Sequence, residues 1–219
     1  ILGSLSVLFL LLGQPSHRCL QAAEIPEAIE VEGQPLAANV QRLTQALEFV
    51  GAPLPEETRA ALDAAGKDRD ALKIQQLLDP RVLFVVSLNP EVRVKVARGP
   101  ARAMLQQGGF TPVLIKVVNR GTTTQPLRLS SPQSGPVYAG VAQLSMNRQK
   151  QEHLRVNENV GGQRDRFLDL ELFANQPMTG RLSGLEVEYA IALIYSSEAG
   201  KREATIAFDV GEGSQDLGF

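Results

Sequence analysis

Three sets of residues have the types and spacing of chemistry. Asp169 and Glu171 alternate with leucines in FLDLELF (167–173), which places both carboxylates on one face of a strand, as an acid/base pair or a calcium site requires. Glu186 and Glu188 repeat that spacing. Asp209, Glu212 and Asp216 stand among Gly211, Gly213 and Gly218, and hard oxygen donors on a pliant backbone are what Ca²⁺ takes. A plainer reading weighs against each. Leu168, Leu170 and Leu172 make an opposite, buried face, so the paired acids are what the solvent side of a half-buried strand normally carries, and neither pair comes with a His, Lys or Tyr at catalytic spacing. The Gly-rich tail does not match the EF-hand pattern, and such a turn needs no ion. Gly200 and Lys201 lack the earlier Gly and following Ser/Thr of a phosphate loop; His153 sits alone in a polar stretch. No Gly-x-Ser-x-Gly, Ser-x-x-Lys or His-Glu-x-x-His occurs. The sequence therefore offers no catalytic or cofactor-binding set, and for metal only the weak calcium candidates Asp209, Glu212 and Asp216.

Composition narrows the field further. The 219 residues carry 22 Lys+Arg against 24 Asp+Glu, a net charge of −2, so the field that draws a protein to nucleic acid is missing. One Cys and two His exclude an internal disulfide, a cysteine-rich zinc site and a His-based metal centre. With 43% hydrophobic and 21% charged residues the chain reads as an ordinary folded protein.

The elements that would position these residues fall into two halves. The uncharged run ILGSLSVLFLLL (1–12) has the length of a signal-peptide core, too short to cross a bilayer, and Ala22 and Ala23 mark a cleavage point. Residues 1–23 read as a signal peptide lacking its first residues, which implies an exported, periplasmic or extracellular protein without a membrane span after cleavage. A linker (24–35) leads to a helical segment (36–80). There Leu36, Val40, Leu43, Leu47 and Val50 make one helical stripe, 56–65 a second helix, and a third, capped by Asp68, presents Leu72, Ile74, Leu77 and Leu78. From 81 to 219 the period is two. Val92, Val94 and Val96 form one strand, and 113–118 with 127–130 an expected hairpin. FLDLELF, VEYAIALIYS (187–196) and ATIAFDV (204–210) follow. Strands without intervening helices predict a mainly β fold, an immunoglobulin-like antiparallel β-sandwich preceded by a small three-helix segment. Residues 131–166 read least clearly, with an edge strand expected at 141–146 and mobility at 157–163.

Four segments carry a resemblance: LEFVGAPLP (47–55), LNPEVRVKVARGPA (88–101), DRFLDLELF (165–173) and LSGLEVEYAIALIYSSEAGKREATIAFDVGEGSQDLGF (182–219). They resemble the N-terminal region of secreted bacterial CehA/McbA-like metallohydrolases, relatives of the PHP phosphoesterase class. The resemblance implies that a catalytic domain, with its metal ions and His-rich motifs, follows in the same polypeptide and is this chain's partner. It also implies that this chain is a non-catalytic scaffold or binding module, and that Leu217 and Phe219 begin contacts made by that continuation. The alternative is a self-contained exported adhesion or carbohydrate-binding protein. Such proteins use exposed aromatic platforms; Tyr189 and Tyr195 lie in an apolar strand and read as core, which leaves Tyr138 as the candidate. A small enzyme using Asp169 and Glu171 is the third reading.

Overall fold

The computed structural model describes residues 25–134 and 166–211, and the structural statements below concern these. The expected signal segment, the edge strand at 141–146, the mobile stretch at 157–163, Tyr138, His153, Glu212, Asp216, Leu217 and Phe219 lie outside them.

Helix α1 (Gly33–Phe49) forms because its apolar residues recur every three or four positions; Leu36, Val40, Leu43 and Leu47 are all buried. It begins against the turn between the next two helices. A Cβ added to Gly33 would lie 1.7 Å from the Arg69 carbonyl oxygen, so only glycine admits that approach. Helix α2 (Glu56–Lys67) carries Glu56 and Glu57 in its first turn and Lys67 in its last, complementing the helix dipole. Helix α3 (Ala71–Leu78) is capped by Asp70, whose carboxylate accepts from the Lys73 N–H at 2.9 Å, two residues beyond the expected Asp68. Leu72, expected on the apolar side, lies on the far side of the helix from Ile74, two positions away, and is 41% exposed, while Ile74 and Leu78 are buried.

A 3₁₀ turn, Asp79–Arg81, feeds strand β1 (Val82–Leu88). There follow β2 (Val94–Arg98), β3 (Phe110–Asn119), β4 (Arg128–Ser130), β5 (Leu168–Leu172), β6 (Val187–Ser196) and β7 (Ala207–Asp209). Five strands make a sheet in the order β2-β1-β3-β6-β5, and β4 pairs with β7 in a second, two-stranded sheet. Three expectations are corrected here. The main sheet is mixed rather than antiparallel, because β1 and β3 run parallel. The hairpin between 113–118 and 127–130 does not form: β3 takes β1 and β6 as neighbours, and β4 crosses to β7, burying Leu127 over the sheet. Val92 belongs to the β1–β2 turn, at φ 61°, and not to a strand.

The main sheet is covered on both faces. The helices pack on one, joining Leu36, Leu43, Ile74 and Leu78 to Val82, Leu114, Val187 and Ile191. On the other, Leu127, Phe208 and Val210 cover Val86, Ile115, Val117 and Ala192. Burying each large side chain of these layers contributes about 1.5–3 kcal/mol. Both central strands therefore lose polar alternation; β3 is buried without a break from Leu114 to Asn119.

Candidate functional site

Double coverage puts two charged side chains of the central strands inside the protein. Lys116 lies on the helix face of β3 and is 0% exposed; directly opposite it in register, on β6, is Tyr189. Asp79, at the end of α3, drops between them. Lys116 Nζ donates to Asp79 Oδ2 at 2.7 Å, Tyr189 Oη donates to Asp79 Oδ1 at 2.7 Å, and the Glu27 carbonyl accepts a further bond from Lys116 Nζ at 3.2 Å. Burial pushes the Asp79 carboxyl above its ordinary value, an effect the Lys116 and Tyr189 hydrogen bonds partly offset. Burial and the neighbouring Asp79 likewise push the Tyr189 phenol up, so it stays a neutral donor. The extended N-terminal segment closes over the cluster. Ile29 exchanges two hydrogen bonds with the buried Gln75 amide, its N–H donating at 3.0 Å and its carbonyl accepting at 2.6 Å.

Beside this cluster β6 loses its outer neighbour. β5 pairs with β6 only down to Ala192, the Phe173 N–H bonds the Ile191 carbonyl, and the chain then swings away until it returns as Val187. The exposed backbone of Tyr189 would be left without partners. Asn39 of α1 supplies them: its Oδ1 accepts from the Tyr189 N–H at 2.8 Å and its Nδ2 donates to the Tyr189 carbonyl at 3.2 Å. One side-chain amide thus stands in for a strand residue.

The gap between α1, the end of β6 and the returning loop is a cleft of about 330 Å³. Asn39 and Arg42 line it from the helix, Glu188 from β6, and Met178, Arg181 and Ser183 from the loop. Glu188 is 5% exposed and its carboxylate accepts from the Ser183 N–H at 3.1 Å and the Ser183 hydroxyl at 2.7 Å. Burial pushes its carboxyl up, with the Ser183 bonds and the Arg42 charge working the other way. Expected on the solvent side, Glu188 is therefore a correction; Glu186, as expected, is exposed. The cause is the covering of both faces of β6, which leaves no solvent side at that position.

The other residues singled out from sequence are not brought together. Asp169 is half-buried on β5, where its Oδ1 accepts from the Leu170 N–H at 2.9 Å, and Glu171 is exposed further along the strand. Asp209 Oδ1 accepts from the Gly211 N–H at 3.0 Å and lies 4.0 Å from the Arg128 guanidinium, so it caps a turn and faces a cation. Among the described residues no group of three or more His, Cys, Asp or Glu could hold a metal, and no helix is long and apolar enough to cross a membrane. Tyr189 and Tyr195 are buried, as their strand implied. Asp79, Lys116, Asn39, Arg42 and Arg181 were not singled out beforehand. For Lys116 a signal existed: a lone cation inside the run VLIKVVN.

No protein-family model matches the chain, and no match was found among the curated proteins or the solved structures.

Proposed function

We propose that this chain is a non-catalytic binding and scaffold module, exported as the N-terminal part of a metal-dependent hydrolase. The observation that carries the reading is the disposition of its ionisable groups. Asp79, Lys116 and Tyr189, which acid–base chemistry could have used, are 1%, 0% and 1% exposed and satisfy one another, so they hold helices to sheet. The cleft is reached by cations and amides together with Glu188, whose carboxylate is engaged by Ser183, a lining suited to holding a ligand. The hydrolase assignment rests on the four segments quoted above. The metal ions it implies have no donor set among the described residues. An immunoglobulin-like sandwich is part of the same proposal: the β4–β7 layer over Ile115 and Val117 supports it, and the parallel β1–β3 pair counts against it.

The test is an assay of the purified chain on p-nitrophenyl phosphate and bis-p-nitrophenyl phosphate with added Mn²⁺ or Zn²⁺. Turnover indistinguishable from the blank is expected. Hydrolysis that is lost in Glu188→Gln or Asp169→Asn would overturn the reading in favour of a small enzyme.

A further inference from the structure

Arg42 and Arg181 reach the cleft beside β6 from opposite sources, one from α1 and one from the loop that returns to β6. Among the described residues neither guanidinium has a hydrogen-bond partner, and the Arg42 charge acts on the Glu188 carboxylate. Elsewhere Arg59 bonds Glu48 and Glu56 and Arg202 bonds Glu198 at 2.5 Å, while Arg128 stands 4.0 Å from Asp209. Leaving two planar, five-donor groups unbonded in one concavity is wasteful for stability and suited to a planar anion.

The floor and walls limit what that anion is attached to. Leu127, Leu172, Met178 and Leu182 give the cleft an apolar lining, and about 330 Å³ is at the small end of ligand pockets. With Glu188 ionised the three charged groups sum to one net positive charge, which a single carboxylate neutralises. The Ser183 N–H and hydroxyl are already engaged by Glu188, and Asn39 by Tyr189, so the charged donors left to receive it are the arginines, with the Gln176 amide beside them.

We propose that the cleft beside the free end of β6 binds compact organic carboxylates with an apolar body, held by the guanidinium groups of Arg42 and Arg181. The proposal deepens the binding-module reading by naming the ligand class. Glu188 competes with the ligand for Arg42 and so sets the affinity.

The experiment uses the purified chain and three isosteric probes, benzoate, benzyl alcohol and benzylamine, with dissociation constants from calorimetry or ligand-observed NMR. Benzoate is expected to bind at least about tenfold more tightly than the other two, since a charge-assisted hydrogen bond contributes that much. Arg181→Gln and Arg42→Gln should each weaken benzoate about tenfold while leaving benzyl alcohol unchanged. Glu188→Gln should tighten benzoate several-fold, a change that a merely structural Glu188 would not produce. Equal binding of the three probes, no binding of benzoate at millimolar concentration, or weaker benzoate binding in Glu188→Gln overturns the proposal. Preferential binding of benzylamine would overturn it too, yet leave the binding-module reading intact, because that reading fails on phosphoesterase turnover instead.

Discussion

Replacing Lys116 by Met removes the ammonium and keeps most of the aliphatic stem, so packing against the helices changes little while charge balance changes completely. Asp79, 1% exposed, would retain the Tyr189 hydroxyl at 2.7 Å, and the Glu27 carbonyl would lose its donor. At the 2.7 Å separation of the pair the direct attraction is about 6 kcal/mol with an effective dielectric near 20. The variant no longer bears the cost of keeping an ammonium out of water, which offsets part of the lost attraction, and breaking one side of a buried pair costs about 3–5 kcal/mol. For a chain of this size each kcal/mol moves the melting temperature by about 2–4 °C, so a fall of about 6–20 °C is expected. Urea unfolding at pH 7, followed by circular dichroism, measures the free energy. Asp79→Asn alone strands the ammonium and should also destabilise. The double variant Lys116→Met/Asp79→Asn carries no buried charge and should recover at least about 1.5 kcal/mol relative to the sum of the singles. A Lys116→Met variant within about 1 kcal/mol of the parent, or a double variant that is simply additive, would refute a buried, coupled pair.

The raised Glu188 carboxyl stabilises the fold below its ordinary value near 4.5, and that stability is lost as pH rises through the higher folded value; Glu188→Gln should therefore gain on the parent from pH 4 to 7 in urea titrations. Asn39→Ala leaves the Tyr189 N–H and carbonyl unpaired, a cost of about 2–4 kcal/mol, and amide exchange at Tyr189 should accelerate more than at Ile191. Gly33→Ala drives a methyl into the Arg69 carbonyl and should cost about 1–3 kcal/mol by thermal melt, whereas Gly51→Ala has open space, so its cost is confined to the positive φ.

The helices were legible because each buries one stripe. Leu36, Val40, Leu43 and Leu47 could be read from spacing, and the structure adds Asn39 and Ala46 on the inner side. The cap of α3 moved because Asp68 and Asp70 are both good caps and the choice depends on Arg69 turning through positive φ, a tertiary constraint. Most strands of the β region were legible, but β1, a nearly unbroken apolar run without alternation, was not, and neither were the strand partners. Local turn chemistry after β3 favoured a hairpin, and burial of Leu127 over Ile115 and Val117 outweighed it. The site was the least legible part. Alternation rules assume one wet face, and on β3 and β6 there is none, so Glu188 was assigned by a rule that does not apply to it and Lys116 drew no notice. A near-continuous apolar run is itself the sign of double coverage, and a charge within it is then a buried charge needing a partner.

Placing β6 between β3 and β5 also sets a timetable. Asn39 meets Tyr189 across 150 positions and Asp79 meets it across 110, so the helices and β1 to β3 are synthesised long before the strand that completes them. Until then β3, paired with β1 on one side, has an open edge where β6 will lie, and Asp79 lacks its phenol. Such a nascent chain is slow to close and prone to pairing with its neighbours, since non-local strands must be gathered first. A holding factor that keeps the first half extended until residue 196 has emerged would serve this topology better than one that promotes early collapse.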